Sequence, residues 1–439
     1  MPLASILASA LMISSITLQD PIVGSWSGYW TRQGDTLAVT MEVRSADSGK
    51  YLATFSSERL RVEGIPFLSL DRTGCCGVVM VLRGDASTTR FEGTLQGDTI
   101  AGTFEEGGNR GTFSLRRSAH GPATRSEEVT FTSGVSTLRG TLVVPGTAPP
   151  WPAIVMTHGS GAEGRWANRY LASRFANAGI AALIYDKRGV GGSTGDWRTA
   201  RFEDLADDAA AAVAMLSERP DIRRERIGIY GHSQGGTILP LAAERARHLA
   251  FLIASAASGV PTDSAERYSV RNAIGVRQLS TSDAADANRF VEALVDVAYH
   301  GAPRNRLDSL VAAYAGRPWM FTLPAPDNSY WRFSHEIATY DAPLHWQSVK
   351  VPVLILFGDA DERVPPEPSI AAITAVLKRT GAPVRVCTYP HADHTFRVRR
   401  EGDAWPRNAD GYLDDLVAWT RVTAGIAGSD SPAITAACQ

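Results

Sequence analysis

The sequence predicts a small all-β domain followed by an α/β domain, in which a doubly wound, mostly parallel sheet carries a helical lid insertion. Three observations lead to this prediction: short strands up to residue 117, six apolar runs separated by helical patterns after residue 127, and one long interruption of that alternation. We therefore divide the chain into a candidate signal peptide (1–20), an all-β domain (24–117), a linker (118–126), an α/β domain (127–426) with its lid insertion (259–346), and a flexible tail (427–439).

The first domain is predicted from strands that alternate apolar and polar residues or form short apolar runs. They cover residues 37–43, 77–82, 91–95 and 112–115, and the pairs Gly34-Asp35, Gly84-Asp85, Gly97-Asp98 and Gly107-Gly108 mark turns. Many short strands at close spacing indicate a small sandwich or barrel. The segment resembles the lipocalin-like β domain that precedes the catalytic domain of some bacterial secreted hydrolases, with Trp26-Ser-Gly-Tyr-Trp30 as its opening strand.

The α/β domain is predicted from apolar runs typical of strands buried on both faces. They lie at residues 153–156, 180–185, 227–230, 250–254, 353–357 and 384–389, after an antiparallel pair at 129–131 and 138–144. Between the second and third runs, apolar residues from Phe202 to Leu216 recur every three or four positions and predict a helix. Its acids Glu203, Asp204, Asp207 and Asp208 are expected to face away from the core.

Residues 259–346 interrupt the alternation and predict a lid or cap. The first part, at 284–299, is helical and polar, and the later part is rich in aromatic residues and proline. Trp319, Phe321 and Trp331 could line a substrate pocket or form the core of the insertion itself, and the sequence leaves both interpretations open.

Composition limits the classes of function. The 439 residues include 44% hydrophobic and 21% charged side chains, which is typical of a globular protein. A net charge of −2 provides no electrostatic footprint for nucleic acid, so no nucleic-acid partner is expected.

One apolar segment, residues 3–13, raises the question of a membrane. It is too short and too rich in serine for a membrane span and fits the apolar part of a secretory signal peptide better. The positively charged n-region and the A-x-A cleavage site that are usual in such peptides are missing. We expect a secreted or periplasmic protein without an integral membrane span, with a cytoplasmic location as the alternative.

The four cysteines, Cys75, Cys76, Cys387 and Cys438, show no spacing typical of a metal site. Cys75 and Cys76 could each pair elsewhere or be two buried or reduced thiols in a β domain. The sequence leaves the disulfide connectivity and the redox compartment open.

A candidate nucleophile follows the third apolar run of the α/β domain. Residues 231–235 read Gly-His-Ser-Gln-Gly, which is G-x-S-x-G between a predicted strand and a predicted helix. So tight a turn needs glycine at positions 231 and 235, and it would present Ser233 at the start of the helix, where N–H groups favour negative charge.

Here the chain resembles the α/β-hydrolase superfamily over roughly residues 127–426. His158-Gly-Ser-Gly161 matches the H-G-x-G oxyanion loop of the superfamily, which implies that the N–H groups of Gly159 or Ser160, with that of Gln234, hold an oxyanion. Residues 186–195 match the D-x-R-G-x-G-x-S loop; they lack the ending of a phosphate-binding P-loop, and we interpret them as structural.

The resemblance also implies a catalytic acid and base in the order Ser, Asp, His. The pattern G-x-x-D-x-x-V-P after the fifth run selects Asp361, with Asp359 as competitor. The histidine before a small and an aromatic residue is His394, with His391 as competitor. The fragment His391-Ala-Asp-His394 lacks a histidine at position 389, so no metal site is expected.

Together these features predict a serine hydrolase that cleaves small-molecule carboxylic esters through an acyl-Ser233 intermediate and needs no cofactor. The G-H-S-x-G and D-x-R-G-x-G-x-S motifs together are most similar to those of bacterial carboxylesterases and serine-aminopeptidase-like hydrolases. A peptidase or thioesterase of the same fold is the alternative, and a non-catalytic ligand-binding protein is a more remote one. The sequence does not determine the oligomeric state.

Overall fold

The computed structural model describes residues 20–46, 49–83, 87–119, 124–426, 435 and 437–438. The described residues up to 119, apart from 57–63, form one compact unit, and residues 57–63 group with those from 124 onward in a second. Almost all of the candidate signal peptide, the Gly84-Asp85 turn and most of the predicted tail lie outside the described residues.

The first unit is built on one antiparallel sheet, which contains nine strands in the part of the chain described. These are β1 (Gly24–Arg32), β2 (Asp35–Ser45), β3 (Tyr51–Ser57), β4 (Val62–Pro66), β5 (Ser69–Thr73), β6 (Gly77–Arg83), β7 (Thr88–Gln96), β8 (Thr99–Glu106) and β9 (Asn109–Ser118). Their order is β4-β3-β2-β1-β9-β8-β7-β6-β5. The four predicted strands lie within β2, β6, β7 and β9.

This sheet curls around an aromatic core. The ring of Trp30 on β1 lies 4.8 Å from that of Phe91 on β7 and 5.1 Å from that of Phe55 on β3. In a flat sheet β1 and β7, three strand spacings apart, would be about 14 Å from each other. The short distance between the rings therefore indicates strong curvature, in keeping with the predicted all-β domain.

The second unit contains a mixed sheet whose strands match the predicted apolar runs. Its strands are β10 (Arg125–Ser133), β11 (Ser136–Val144), β12 (Trp151–Met156), β13 (Ala181–Tyr185), β14 (Ile222–His232), β15 (Leu249–Ser255), β16 (Val353–Gly358) and β17 (Val384–Tyr389), and a separate small pair is β18 (Arg397–Val398) with β19 (Arg407–Asn408). The order is β10-β11-β13-β12-β14-β15-β16-β17.

Strand direction places a crevice beside β12. The neighbours in the part of the sheet ordered β13-β12-β14-β15-β16-β17 are parallel. Strand β11 is antiparallel to both of its neighbours, β10 and β13. All residues of β12, β13 and β16 are buried, so both faces of the sheet are covered. The chain runs from β12 to β13 on one side and then to β14 on the other, which opens a crevice at the carboxyl ends of β12 and β14.

The connections and the insertion are helical. The helices are α1 (Arg169–Asn177), α2 (Phe202–Ser217), α3 (Gln234–Thr237), α4 (Leu239–Arg245), α5 (Thr262–Ile274), α6 (Thr281–His300), α7 (Asn305–Ala313), α8 (Ser329–Ile337), α9 (Ala342–Trp346), α10 (Pro366–Thr380) and α11 (Tyr412–Thr423). Helices α5 to α9 form the predicted insertion between β15 and β16. No helix of the described residues is both long enough and apolar enough to cross a membrane.

Helix α2 agrees with the predicted helix, but the expected position of one of its acids is wrong. Asp208 is buried rather than facing away, and its carboxylate accepts hydrogen bonds from Arg188 Nη2 at 2.6 Å and Nε at 2.9 Å. Burial raises the pKa of Asp208, and Arg188 opposes that rise. Helical periodicity cannot reveal a charged partner that comes from another loop.

The aromatic residues of the insertion mostly pack on one another. Trp319 is buried against Tyr314, with ring centroids 5.3 Å apart, and Phe321 lies 5.7 Å from Phe290. The Arg304 guanidinium lies 4.4 Å from the ring centroid of Trp331. Trp319 therefore belongs to the core of the insertion, whereas Phe321 is exposed and Trp331 is partly buried.

A disulfide joins Cys387 on β17 to Cys438 in the segment predicted as the tail. With 51 residues of sequence separation, a cross-link of this loop size stabilises a fold by roughly 2–4 kcal/mol. Cys75 and Cys76 are free thiols, and neither is buried.

Candidate active site

Ser233 lies where strand β14 turns into the short helix α3. Its backbone has φ 56° and ψ −121°, a conformation that non-glycine residues rarely adopt. The Ser233 N–H donates to the carbonyl oxygen of Ser255 on β15 at 2.8 Å, which helps to hold the strained turn. Such a turn exposes a serine side chain at the carboxyl edge of the sheet.

The glycines around Ser233 are required by close backbone packing. A Cβ atom on Gly231 would lie 2.2 Å from the carbonyl oxygen of Gly235. One on Gly235 would lie 2.5 Å from Thr157 Oγ1 and 2.7 Å from the carbonyl oxygen of His158. Both glycines therefore let the serine turn close, and Gly235 also brings it against the loop after β12.

His394 bridges Ser233 and Asp361. Its Nε2 lies 3.0 Å from Ser233 Oγ, and its Nδ1 lies 2.8 Å from Asp361 Oδ2. Asp361 is 1% exposed, and its Oδ1 accepts the N–H groups of Arg363 and Val364, each at 2.8 Å. A carboxylate held in this way favours a proton on Nδ1, which leaves Nε2 able to accept the serine proton.

The two competitors lie elsewhere. The carboxylate of Asp359 is exposed, and its Oδ1 accepts the backbone N–H of His391 at 2.6 Å. His391 is exposed as well and adopts φ 58°. The structure thus brings Asp361 and His394, rather than Asp359 and His391, into hydrogen-bonding distance of Ser233 or of each other.

Three residues that the sequence analysis did not single out surround this relay. His232 packs on His394 with ring centroids 4.8 Å apart, and burial, with His394 adding to the effect, holds the pKa of His232 well below its usual range. Tyr268 on α5 donates to the carbonyl oxygen of Asp361 at 2.6 Å, so the insertion contacts the acid loop. Glu362 Oε2 accepts the N–H of His394 at 3.2 Å.

The three expected oxyanion donors differ in their availability. Among the described residues, the N–H groups of Ser160 and Gln234 have no acceptor within hydrogen-bonding distance. The Gly159 N–H instead donates to Glu163 Oε2 at 2.7 Å. Ser160 and Gln234 therefore provide free donors, whereas Gly159 does so only if Glu163 releases it.

Hydrogen bonds hold the loop after β13 in place, both within the loop and to neighbouring segments. The carboxylate of Asp186 accepts the N–H groups of Arg165 and Gly192 at 3.0 and 3.1 Å, and Ser193 Oγ donates to the Asp186 carbonyl oxygen at 2.7 Å. Lys187 of the same loop is buried, and its Nζ lies 2.8 Å from Gln234 Oε1. Lys187 occupies the unspecified position of D-x-R-G, so the motif gives it no role.

His158 is buried, and burial lowers its pKa to about 4, so the ring is neutral and faces the Tyr185 carbonyl oxygen.

In the part of the chain described, the cluster of side chains that could ligate a metal consists of Cys387, Asp415 and Cys438. Its two cysteines are joined in the disulfide and offer no thiolate.

Comparison with known proteins identifies the family. The model of the family described as "Serine aminopeptidase, S33" matches residues 148–398, more than half of the chain. The matched range includes Ser233, Asp361 and His394.

Curated relatives are similar over shorter stretches. Esterase EstD of Thermotoga maritima is 32% identical over 26% of this chain and 29% of its own length. Quorum-quenching protein AidA of Acinetobacter baumannii is 32% identical over 29% of this chain and 42% of its own length. The chain thus spans less than half the length of either relative.

One solved structure is similar at a low level. The α/β hydrolase GrgF from Penicillium sp. sh18 is 21% identical, with a TM-score of 0.43 over 62% of this chain and 91% of its own. A likeness of this size carries no argument about fold or substrate. The family match, the strand order and the position of the serine turn agree, and the chain belongs to the serine aminopeptidase S33 family of α/β hydrolases.

Proposed function

We propose that this hydrolase cleaves carboxylic esters through an acyl-Ser233 intermediate. The observation that carries the proposal is the relay Ser233–His394–Asp361, with heavy-atom distances of 3.0 and 2.8 Å at a strained serine turn. A nucleophile, a base within hydrogen-bond reach and a group that orients the base are the parts that acyl transfer requires.

Acylation begins at the serine hydroxyl. His394 Nε2 accepts the proton as Ser233 Oγ attacks the ester carbonyl carbon, because an unassisted hydroxyl is a poor nucleophile at neutral pH. Asp361 keeps the imidazole in the productive tautomer and stabilises the imidazolium that forms. His394 then returns the proton to the leaving alkoxide as the C–O bond breaks.

The tetrahedral oxyanion is stabilised by backbone donors. The free N–H groups of Ser160, on the loop after β12, and of Gln234, directly after the nucleophile, carry this role in the proposal. Each such donor contributes about 2.7–4 kcal/mol of transition-state stabilisation in serine hydrolases. Water then attacks the acyl-enzyme, with His394 as base, and Ser233 is released.

The existing partners of three glutamates favour esters over aminopeptidase substrates. An aminopeptidase needs a carboxylate for the substrate ammonium group, and Glu163, Glu266 and Glu336 each already have a partner within this chain. Glu163 holds the Gly159 N–H, and Glu336 lies 3.9 Å from Arg332. Burial raises the pKa of Glu266, and its Oε1 accepts a hydrogen bond from the Tyr330 hydroxyl at 2.7 Å.

A substrate panel tests the choice of ester. We expect kcat/KM for p-nitrophenyl esters, measured across acyl chain lengths, to exceed that for aminoacyl anilides and acyl thioesters by at least about tenfold, a difference of ~1.4 kcal/mol in transition-state binding. If anilide or thioester turnover exceeded ester turnover, the proposed substrate class would change from esters to that class. Failure of a fluorophosphonate probe to label Ser233 would instead support a non-catalytic ligand-binding protein.

We also propose a secreted or periplasmic location. The Cys387–Cys438 disulfide supports it, because such bonds persist in oxidising compartments and are rare in the cytosol. The expected result is recovery of the protein from periplasm or medium with the peptides of Cys387 and Cys438 linked in mass spectra. Recovery with cytosolic markers and with both thiols free to alkylation would contradict the proposal.

A further inference from the structure

Lys187 is a buried cation whose partners are neutral oxygens. The residue is 2% exposed, and Nζ donates to the carbonyl oxygens of Gly159 at 2.8 Å and Gly161 at 3.1 Å and to Gln234 Oε1 at 2.8 Å. Within the described ranges, no carboxylate lies within 4.0 Å of it. All three ammonium protons are therefore used, and none of them is used on a counter-ion.

The three acceptors belong to the two halves of the proposed oxyanion hole. Gly159 and Gly161 lie on the loop after β12, and Gln234 directly follows the nucleophile on a different strand connection. Lys187 therefore joins the loop that carries the Ser160 N–H to the residue that carries the other free N–H.

One of these bonds acts on an oxyanion donor through a single peptide group. The carbonyl of Gly159 and the N–H of Ser160 belong to the same peptide unit. A cation bonded to the carbonyl oxygen draws electron density from the N–H, which makes that N–H a stronger hydrogen-bond donor. The Gly159 N–H belongs to the preceding peptide unit, and it donates to Glu163 Oε2 at 2.7 Å. The peptide units on both sides of Gly159 are therefore fixed in orientation.

We propose that protonated Lys187 is a positioning residue of the oxyanion hole: it fixes the spacing of the Ser160 and Gln234 N–H groups and polarises the former. This inference rests on the proposed acyl-Ser233 chemistry and adds a residue that acts through other groups without touching substrate.

The charge of Lys187 gives the proposal a pH dependence. Burial lowers the pKa of Lys187 to about 8, and the carboxylates of Glu163, on the loop after β12, and Asp208, on α2, oppose that shift. His158, at the end of β12, is neutral, since burial lowers its pKa to about 4. As pH rises through about 8, Lys187 loses its proton and the bonds that need it, and kcat falls.

The test compares Lys187→Met, which keeps the length and removes the charge, with Lys187→Arg, which stays protonated. For a p-nitrophenyl ester, Lys187→Met is expected to lower kcat about 10–100-fold, less than the loss of a whole donor, with KM within about twofold. An arylboronic acid, which forms a tetrahedral adduct with Ser233, is expected to lose affinity by a similar factor. Lys350→Met, at an exposed lysine before β16, is the matched control.

The pH profile and the arginine variant separate positioning from mere packing. The wild-type decline in kcat above about pH 8 is expected to be absent in Lys187→Met, and Lys187→Arg is expected to recover part of kcat without that decline. An unchanged kcat in Lys187→Met, or a loss confined to KM, would overturn the inference. If Lys187→Met does not fold, a wild-type kcat that stays level from pH 7 to 10 overturns it.

The proposed function has its own separate readout in the same experiment. Wild-type protein that neither hydrolyses the ester nor takes up a fluorophosphonate overturns the acyl-Ser233 chemistry, and the inference with it. Wild-type activity with an unaffected Lys187→Met variant overturns only the role of Lys187.

Discussion

Replacing Ser233 by alanine is expected to lower kcat for ester hydrolysis by about 10⁴- to 10⁶-fold. The hydroxyl is the atom that forms the acyl bond, and no other hydroxyl is in hydrogen-bonding contact with His394 among the described residues. The measurement is single-turnover and steady-state hydrolysis of a p-nitrophenyl ester, with mass spectrometry to follow acylation. The variant is expected to fold, because alanine can keep the N–H bond to the Ser255 carbonyl oxygen.

Ser309→Ala is the matched control for this experiment. Ser309 is exposed on α7, where its Oγ bonds to the carbonyl oxygen of Asn305, and its removal is expected to leave kcat unchanged. A Ser233→Ala variant that keeps wild-type kcat, or an acyl adduct mapped to another residue, would contradict the proposed nucleophile.

Replacing Asp361 by asparagine is expected to lower kcat about 10⁴-fold with little change in KM. The amide can still accept the N–H groups of Arg363 and Val364 through its oxygen. Its NH₂ group would then face His394 Nδ1 and favour the tautomer with the proton on Nε2, which cannot accept the proton of Ser233. The side chain keeps its size, so the loss is expected in catalysis more than in stability.

Asp359→Asn provides the comparison that the sequence itself suggests. Both aspartates follow β16, two residues apart, but the carboxylate of Asp359 bonds to the His391 N–H and is exposed. Asp359→Asn is expected to change kcat by less than about threefold, as for an exposed position away from the reacting atoms. A larger loss for Asp359→Asn than for Asp361→Asn would reverse the assignment of the acid.

The sheet of the second unit was predictable because its strands are continuous apolar runs. Five of the six runs differ from the observed strands by at most two residues at either end. The sixth is extended at its start by residues 222–226, of which 223–226 are charged and exposed. Ser233 was predicted from its strand–turn–helix setting, and Asp361 and His394 from motifs that resemble those of α/β hydrolases. The sheet explains why the three side chains meet. The carboxyl ends of parallel strands meet at one edge, so motifs that follow β14, β16 and β17 are brought together there.

Other features depended on contacts that no local sequence pattern shows. The pairing of Asp208 with Arg188, and the disulfide between Cys387 and Cys438, join parts of the chain whose local patterns carry no sign of each other. The engagement of the Gly159 N–H by Glu163 likewise depends on how one loop folds back on itself. The predicted signal segment stays a prediction.

The sequence by itself determined the order of the domains, the alternation of strands and helices, and the setting of Ser233, because hydrophobic period and turn glycines are local properties. The resemblance to α/β hydrolases, rather than these local properties, selected Asp361 and His394. Only the tertiary structure decided which backbone N–H groups remain free and which oxygens accept the protons of the buried Lys187 side chain. The physical reason is that a lysine is polar in any sequence pattern. Its burial, and the oxygens that satisfy its three protons, exist only once the loops after β12, β13 and β14 have packed against one another.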